Sequence, residues 1–409
     1  MRERIVMRSS WRIGSIREIP LYIDPSWLAI LFFITALNAG EVQAQLVGDN
    51  NPPWLSSFMG FLMALLLFAS VLLHELGHSL VALSQGIKVN SITLFLFGGM
   101  ASIERESDTP LESLKIAVAG PAVSLVLFAS LSLLGLAVEN LPLWHYVLMD
   151  VAQINFILAL FNVIPGMPLD GGQILKSVVW HVTGDRLKGL RWASRSGQIM
   201  GCIGISLGLF LVLLTGDLGG AWLSFIGWFI FKNASAYNRL SRLQEGLLSL
   251  TAASVMTKDF KILKADRSLE EFTREYIINP HKGAYYAVSG GRYRGLVRPS
   301  DLQSIERGQW AGKTLLDIVH PLDTIVSVPE NAPLFQVIGV LDTITDKKLT
   351  VLSPAGAVAG VIDKADIVKT IAAKYDIVLQ EGEIDRIKSG GQYPSYLPLS
   401  AVAKTLTKK

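Results

Sequence analysis

Up to about Tyr237 the chain is a series of long apolar runs cut by short polar segments, and from about Ser241 the runs shorten and charged positions multiply. The first run, Pro25 to about Asn38, is short, whereas Trp54 to Leu83 exceeds the roughly 20 residues needed to cross a bilayer. Further runs cover Pro110 to about Val138, about Tyr146 to Asn162, about Gly197 to Thr215 and about Ala221 to Phe231, so six transmembrane helices are expected. Between the second and third, Val89 to Phe97 and Gly98 to Glu106 read as two strands joined at glycines, with a flat hydrophobic edge lying at the membrane surface. Trp11-Arg12-Ile13 and Ile19 to Ile23 read as further short interfacial strands. Charge orients the spans. The loop 39–53 with Glu41 and Asp49, the loop at Glu139 and Asn140 and the turn at Asp217 hold no Lys or Arg. Arg2, Arg4, Arg8, Arg12 and Arg17, the cluster Lys176, Arg186, Lys188, Arg191 and Arg195, and Lys232, Arg239 and Arg242 mark the other side, so both termini are expected in the cytoplasm of a multi-pass cell-membrane protein.

From about Thr251 the chain repeats itself at about 65 residues: Gly295-Leu296-Val297-Arg298-Pro299-Ser300-Asp301-Leu302 answers Gly360-Val361-Ile362-Asp363-Lys364-Ala365-Asp366-Ile367. Ala253-Ser254-Val255-Met256 likewise answers Leu316-Asp317-Ile318-Val319. Each unit alternates strand-like with helix-like runs, so two small α/β modules packed as a pseudo-symmetric pair are expected. The fold class is thus an all-α polytopic membrane domain with short interfacial β-strands, followed by an α/β tandem pair. Its expected domains are 1–245, 251–306, 314–374 and a polar, loosely ordered tail at 375–409.

Composition agrees: of 409 residues 50% are hydrophobic and 17% charged, and the mean hydropathy of +0.41 is that of a multi-span membrane protein. The formal net charge of +3 is spread over loops without a basic stripe carrying interleaved aromatics, so nucleic-acid binding has no support. Cys202 is the single cysteine, which excludes an intrachain disulfide and a cysteine-rich metal site. The arginine-rich start lacks a small-residue cleavage pattern, so the first apolar run reads as a retained span.

The candidate chemistry lies inside the longest run, at His74-Glu75-Leu76-Gly77-His78. In a helix, positions i and i+4 share a face, so both imidazoles can reach one metal ion, while Glu75 is placed to take a proton from water. Histidines and a carboxylate in a bilayer cost roughly 2–3 kcal/mol each unless partnered, which favours a metal site over satisfied core histidines. Catalytic zinc wants a third protein ligand. The segment Asn162-Val163-Ile164-Pro165-Gly166-Met167-Pro168-Leu169-Asp170-Gly171-Gly172 cannot be a continuous helix, and unwound backbone at membrane depth belongs at a cavity or inside protein. Asp170 is its one carboxylate: it reads either as that ligand or as the cap of the helix resuming at Gly171. Asn162 reads either as a donor to a tetrahedral oxyanion or as an interhelix amide, and Asn155 as a packing or interhelix residue. His145, His181, His281 and His320 have no partner at ligand spacing.

The two segments, in this order on separate spans, resemble the paired signatures of the site-2 protease family of intramembrane zinc metalloproteases (peptidase family M50). Phe97-Gly98-Gly99-Met100-Ala101 and Ala119-Gly120-Pro121 resemble that family's pattern as well. The resemblance covers roughly residues 12–240. It implies one Zn2+ per chain on His74, His78 and Asp170, Glu75 as general base and then acid, and an active-site role for Asn162. The substrate it implies is a membrane-anchored, regulatory protein cut in or near its transmembrane segment. Such a helix must unwind, and Ser91, Ile92, Thr93, Leu94, Phe95, Leu96 and Phe97 are expected to hold it as an added edge strand. The modules at 251–306 and 314–374 resemble paired cystathionine beta-synthase (CBS) domains, which implies an adenine nucleotide near Asp301 and Asp366, regulation by that ligand, and a homodimer. The hydroxyl positions of the CBS nucleotide motif are here Arg298 and Asp363. The rival from another class is a CBS-regulated transporter or channel, since broken helices with polar groups also mark transport sites.

Overall fold

The computed structural model describes residues 10–44, 53–96, 98–216, 218–278, 283–344, 346–375 and 377–407. Arg2, Arg4, Arg8, Asp49, Phe97, Asp217 and His281 lie outside them. The chain forms two compact units, Met1–Arg239 and Leu240–Lys409, each taken here by itself.

The first unit opens with β1 (Trp11–Ile16) and β2 (Ile19–Ile23), then α1 (Ser26–Val42) and α2 (Pro53–Ser84). Next come β3 (Val89–Phe95), β4 (Gly98–Ile103), α3 (Pro110–Ala137), α4 (Pro142–Asn162), α5 (Asp170–Thr183), α6 (Arg186–Thr215) and α7 (Leu218–Ser249). Helix ends follow local chemistry. Thr109 and Glu112 close a reciprocal capping box with Pro110 in the first turn of α3, and Asp185 caps α6 through the Leu187 and Lys188 amides. Among the described residues, four helices are long and apolar enough to span a membrane: Trp54–Ser84, Pro110–Ala137, Pro142–Asn162 and Arg186–Thr215. Of the six spans expected, the other two fall short of that description. Helix α1 has only 17 residues, and α7 runs on from an apolar first half into Lys232, Arg239 and Arg242. The basic cluster at Arg186 to Arg195 is not a loop but the first turns of α6.

The four strands form one sheet in the order β1-β2-β3-β4. Strand β3 is therefore interior, and the expectation that Ser91 to Phe97 offers a free edge is corrected. Strand β2 pairs parallel with it through Leu21↔Ile92, Tyr22↔Thr93 and Ile23↔Leu94, while β4 pairs antiparallel on its other side. The apolar residues of Ile19 to Ile23 that read as an interfacial piece are thus a sheet partner, with Ile19 and Ile92 both buried in one core. Among the described residues, the sheet edge on that side of β3 belongs to β4.

The second unit contains two modules of one pattern. A short helix α8 (Ala252–Val255) precedes β5 (Phe260–Lys264), α9 (Leu269–Ile278), β6 (Ala284–Ser289), β7 (Arg292–Val297) and β8 (Val319–Pro321). The second module is built from β9 (Ser327–Pro329), α10 (Leu334–Thr343), β10 (Lys348–Leu352), β11 (Val358–Asp363) and α11 (Lys364–Lys374). In each, the strand before the helix pairs parallel with the strand after it, and that strand pairs antiparallel with the next. Capping boxes at Thr251/Ser254 and Thr314/Asp317 occupy corresponding places. The tail is not loose: α12 (Glu383–Gly390) and α13 (Leu399–Thr407) bury Ile387, Leu397, Leu399, Val402 and Ala403 in the core of the second module. Leu243 and Leu247 join that core too, so the division between the units falls at Arg239 and Leu240, earlier in α7 than residue 245.

Tyr286 of β6 is fully buried and its hydroxyl lies 2.7 Å from Thr350 Oγ1 of β10, joining the two modules. Tyr286→Phe leaves a buried hydroxyl short of one partner. The opening free energy of β6 and β10, read from amide hydrogen exchange in the intact chain, is expected to fall by about 1–2 kcal/mol.

Candidate metal centre

Helix α2 presents His74 and His78 one turn apart, both buried. Their partners fix them. His78 Nδ1 lies 2.6 Å from the Ile116 carbonyl of α3, which can only accept, so Nδ1 carries the hydrogen and Nε2 a bare lone pair. His74 Nδ1 meets Ser124 Oγ of the same helix at 2.9 Å, and Ser124 is wholly buried.

The third group comes from the break after α4. Helix α4 ends at Asn162, the chain turns through Val163 to Leu169, and Met167, fully buried, donates its amide to Ala193 of α6 at 3.0 Å. Helix α5 restarts with Leu169, not Asp170, at its N-cap position, which frees the Asp170 carboxylate from capping. Gly171 and Gly172 follow because the turn's backbone lies against them: a Cβ on Gly171 would meet the Val163 and Ile164 carbonyls, and one on Gly172 would sit 2.5 Å from Gly166 and Met167 backbone. Asp170 Oδ2 lies 3.1 Å from His74 Nε2 and 3.3 Å from His78 Nε2, and the two Nε2 atoms are 3.3 Å apart.

These three atoms fit a tetrahedral zinc site. Bonds of about 2.0–2.1 Å place ligand atoms about 3.3 Å apart. With both imidazoles neutral, the triangle brings together three acceptors with at most one hydrogen among them, which is repulsive without a cation. Gly120 of α3 keeps the space open, since a Cβ there would run into His78 Nε2 and lie 2.6 Å from His74 Nε2. Among the described residues, His74, His78 and Asp170 are the one group of three or more metal-type ligands.

Glu75, half-buried on the next position of α2, faces β4. The Ala101 amide donates to its carboxylate, and a Cβ on Gly99 would lie 2.5 Å from Glu75 Cγ. Asn162 Nδ2 lies 3.4 Å from His74 Nε2, at the centre's edge. Asn155 is fully buried and donates to Ser70 Oγ at 2.9 Å and to the Val151 carbonyl at 2.8 Å, an interhelix role. Sequence reasoning did not find Ser124, the Ile116 carbonyl or the two strand residues at Glu75. A serine one helical turn after Gly120 in an apolar run was the available signal for the first.

The expected nucleotide-binding aspartates are otherwise engaged. Asp301 Oδ2 lies 2.7 Å from His320 Nε2. Asp366 accepts from the Asp363 amide at 3.0 Å while Asp363 accepts from the Asp366 amide at 2.8 Å, a closed box at the start of α11. Burial, with the Asp363 carboxylate beside it, pushes the Asp366 carboxyl up to about 6. Between the modules runs a cleft of ≈ 1590 Å3, lined among others by Tyr276, Arg298, Lys347, Asp363, Arg386 and Lys388.

Comparison with known proteins follows the same division. The model of peptidase family M50 matches residues 62–140 and 136–207. A Synechocystis sp. protein that carries the name zinc metalloprotease sll0528 is 40% identical over 370 residues, covering 89% of this chain and 96% of the relative. A solved site-2 protease from Methanocaldococcus jannaschii is 26% identical with a TM-score of 0.38, covering 56% of this chain and 95% of that one. The CBS domain of the bacterial CNNM/CorC family Mg2+ transporter in complex with ATP is 18% identical with a TM-score of 0.27, covering 32% of this chain and 94% of that one.

Two outcomes are expected. Gly120→Ala abolishes zinc uptake, measured by elemental analysis of the purified chain, while helix content by circular dichroism stays unchanged. A carboxyl whose folded pKa is raised contributes stability that is fully present below the ordinary carboxylate range and lost as pH rises through about 6. Exchange protection of α11, corrected for intrinsic rates, should therefore fall between about pH 4 and pH 6, and Asp366→Asn should flatten that fall.

Proposed function

This chain belongs to peptidase family M50, the zinc metalloproteases, and on that premise we propose that it cuts membrane-anchored, regulatory proteins in or beside their transmembrane segment. The observation that supports this most is the triangle of Nε2, Nε2 and Oδ2 atoms at 3.1–3.3 Å beside a carboxylate that faces a free strand edge. His74, His78 and Asp170 would hold one zinc, which when bound supplies a polarised carbonyl and a water of lowered pKa. Ser124 and the Ile116 carbonyl orient the two imidazoles. Glu75 takes the proton of the attacking water and delivers it to the leaving amine, the Ala101 amide holding its carboxylate meanwhile. Asn162 donates to the oxygen of the tetrahedral intermediate.

A helical substrate hides its carbonyls and has to be extended before attack. The corrected topology moves the docking edge from Ser91–Phe97 to β4, Gly98–Ile103, which puts an added strand beside Glu75 instead of one strand away from it. Both termini are assigned to the cytoplasm by the distribution of Lys and Arg.

The second unit is read as a CBS pair that regulates the protease and pairs two chains. An anionic small molecule of the adenine-nucleotide class in its cleft would be held by Lys347, Arg386 and Lys388 rather than by Asp301 and Asp366, Arg298 being paired with Asp346. The transporter or channel reading is not favoured, because the relative that spans 89% of this chain carries a metalloprotease name.

Glu75→Gln should keep one zinc per chain and lower cleavage by at least about 10²-fold, measured on a single-pass substrate in detergent or liposomes. Retained proteolysis in that variant would overturn the assignment.

A further inference from the structure

We infer that Glu106 and Lys176 are positioning residues for the metal centre, keeping the helix that carries Asp170 in place relative to the strand beside Glu75; this rests on the protease reading. Lys176 lies six residues after Asp170 on α5, about 9 Å along the helix. Its side chain is 9% exposed, and an ammonium so buried requires a compensating charge. Glu106 Oε2 stands 3.9 Å from Lys176 Nζ and 2.5 Å from Arg186 Nη1, so one carboxylate serves a cation on α5 and another on the first residue of α6. Glu106 itself follows the end of β4 by three residues. The strand whose Gly99 and Ala101 meet Glu75 is thereby tied, through one side chain, to the helix that delivers Asp170.

A second tie shows that α5 is held at this level and not merely covered. Ser177, next to Lys176 in sequence and wholly buried, gives its hydroxyl hydrogen to the Gln173 carbonyl at 2.8 Å and accepts from Ser113 Oγ at 2.8 Å, Ser113 lying on α3, the helix that carries Ser124 and Gly120. The charge pair and the hydroxyl pair together fix α5 against both neighbours of the histidine helix. If Glu106 loses its charge, Lys176 keeps a buried cation without compensation, and the route to relief is a shift of α5 that brings the ammonium to water. Asp170 moves with the same helix. A triangle with 3.1–3.3 Å edges cannot absorb a displacement of about an ångström without losing a ligand.

The test uses the full chain in detergent micelles, with zinc affinity measured by competition against a chelator. Glu106→Gln should lower zinc affinity by about 10–100-fold, the range for losing an orienting partner of a metal ligand. Adding Lys176→Met to that variant removes the uncompensated cation and should return affinity to within about threefold of the wild type. A general loss of packing would make the double variant worse than the single one. Wild-type affinity in Glu106→Gln overturns the inference, and so does a double variant that fails to recover. Cleavage is scored separately: a chain with this pattern of affinities that cuts no membrane-anchored substrate upholds the positioning role and overturns the protease reading.

Discussion

A polar atom inside an apolar helix bundle is tolerated only if something answers it, and the first unit is arranged by that requirement. His74 and His78 each need a partner on Nδ1 and a third group at Nε2, which fixes three neighbours at once. Helix α3 answers the Nδ1 atoms with Ser124 and the Ile116 carbonyl, and α5 brings Asp170 to the Nε2 atoms as the third group that one cation would join. Asn155 and Ser70 repeat the same logic one turn up α2, tying it to α4. The helices could slide against one another without these pairs, because apolar side chains facing lipid carry little positional information. The pairs select one arrangement, and it is the one that closes the ligand triangle.

That selection explains why α4 cannot simply continue. An unbroken helix would carry the residues after Asn162 past the histidines, and none of its carboxylates would turn back toward α2. The turn through Pro165 and Pro168 ends the helix, and the amide of Met167 finds the Ala193 carbonyl, so the break leaves that buried donor satisfied. Restarting the helix at Asp170 with Leu169 as its N-cap, and with two glycines admitting the turn's backbone, aims the carboxylate at the imidazoles. The β4 edge completes the same site from another direction, since its Ala101 amide holds Glu75 while, among the described residues, no other strand pairs with its outer side.

Much of this was legible because it is local. The helical spacing of His74 and His78, the prolines and glycines around Asp170 and the repeat in the second unit all lie within short windows of sequence. What was misread depends on pairing across distance. Nothing within Ser91 to Phe97 says that Ile19 to Ile23, some 70 residues earlier, occupies its edge. Lys176 read as a topology marker along with Arg186, and only the fold shows it buried beside Glu106. The tail read as loose because Gly390-Gly391 and Pro394 dominate its middle, yet Leu399, Val402 and Ala403 follow at helical spacing and are buried.

The second unit shows the same physics applied to anions. At the start of α11 two carboxylates, Asp363 and Asp366, stand three residues apart. The Asp363 carboxylate caps α11, and the Asp366 carboxylate closes the reciprocal bond to the Asp363 amide, so the two are committed to the helix before any ligand arrives. Two carboxylates at one helix start repel a phosphate, and the cleft beside them is lined by Lys347, Arg386 and Lys388 together with Asp346 and Asp385. Arg386 and Lys388 come from α12, the tail helix whose Ile387 is buried in the module's core. The basic residues that α12 brings to the cleft therefore depend on the tail being folded.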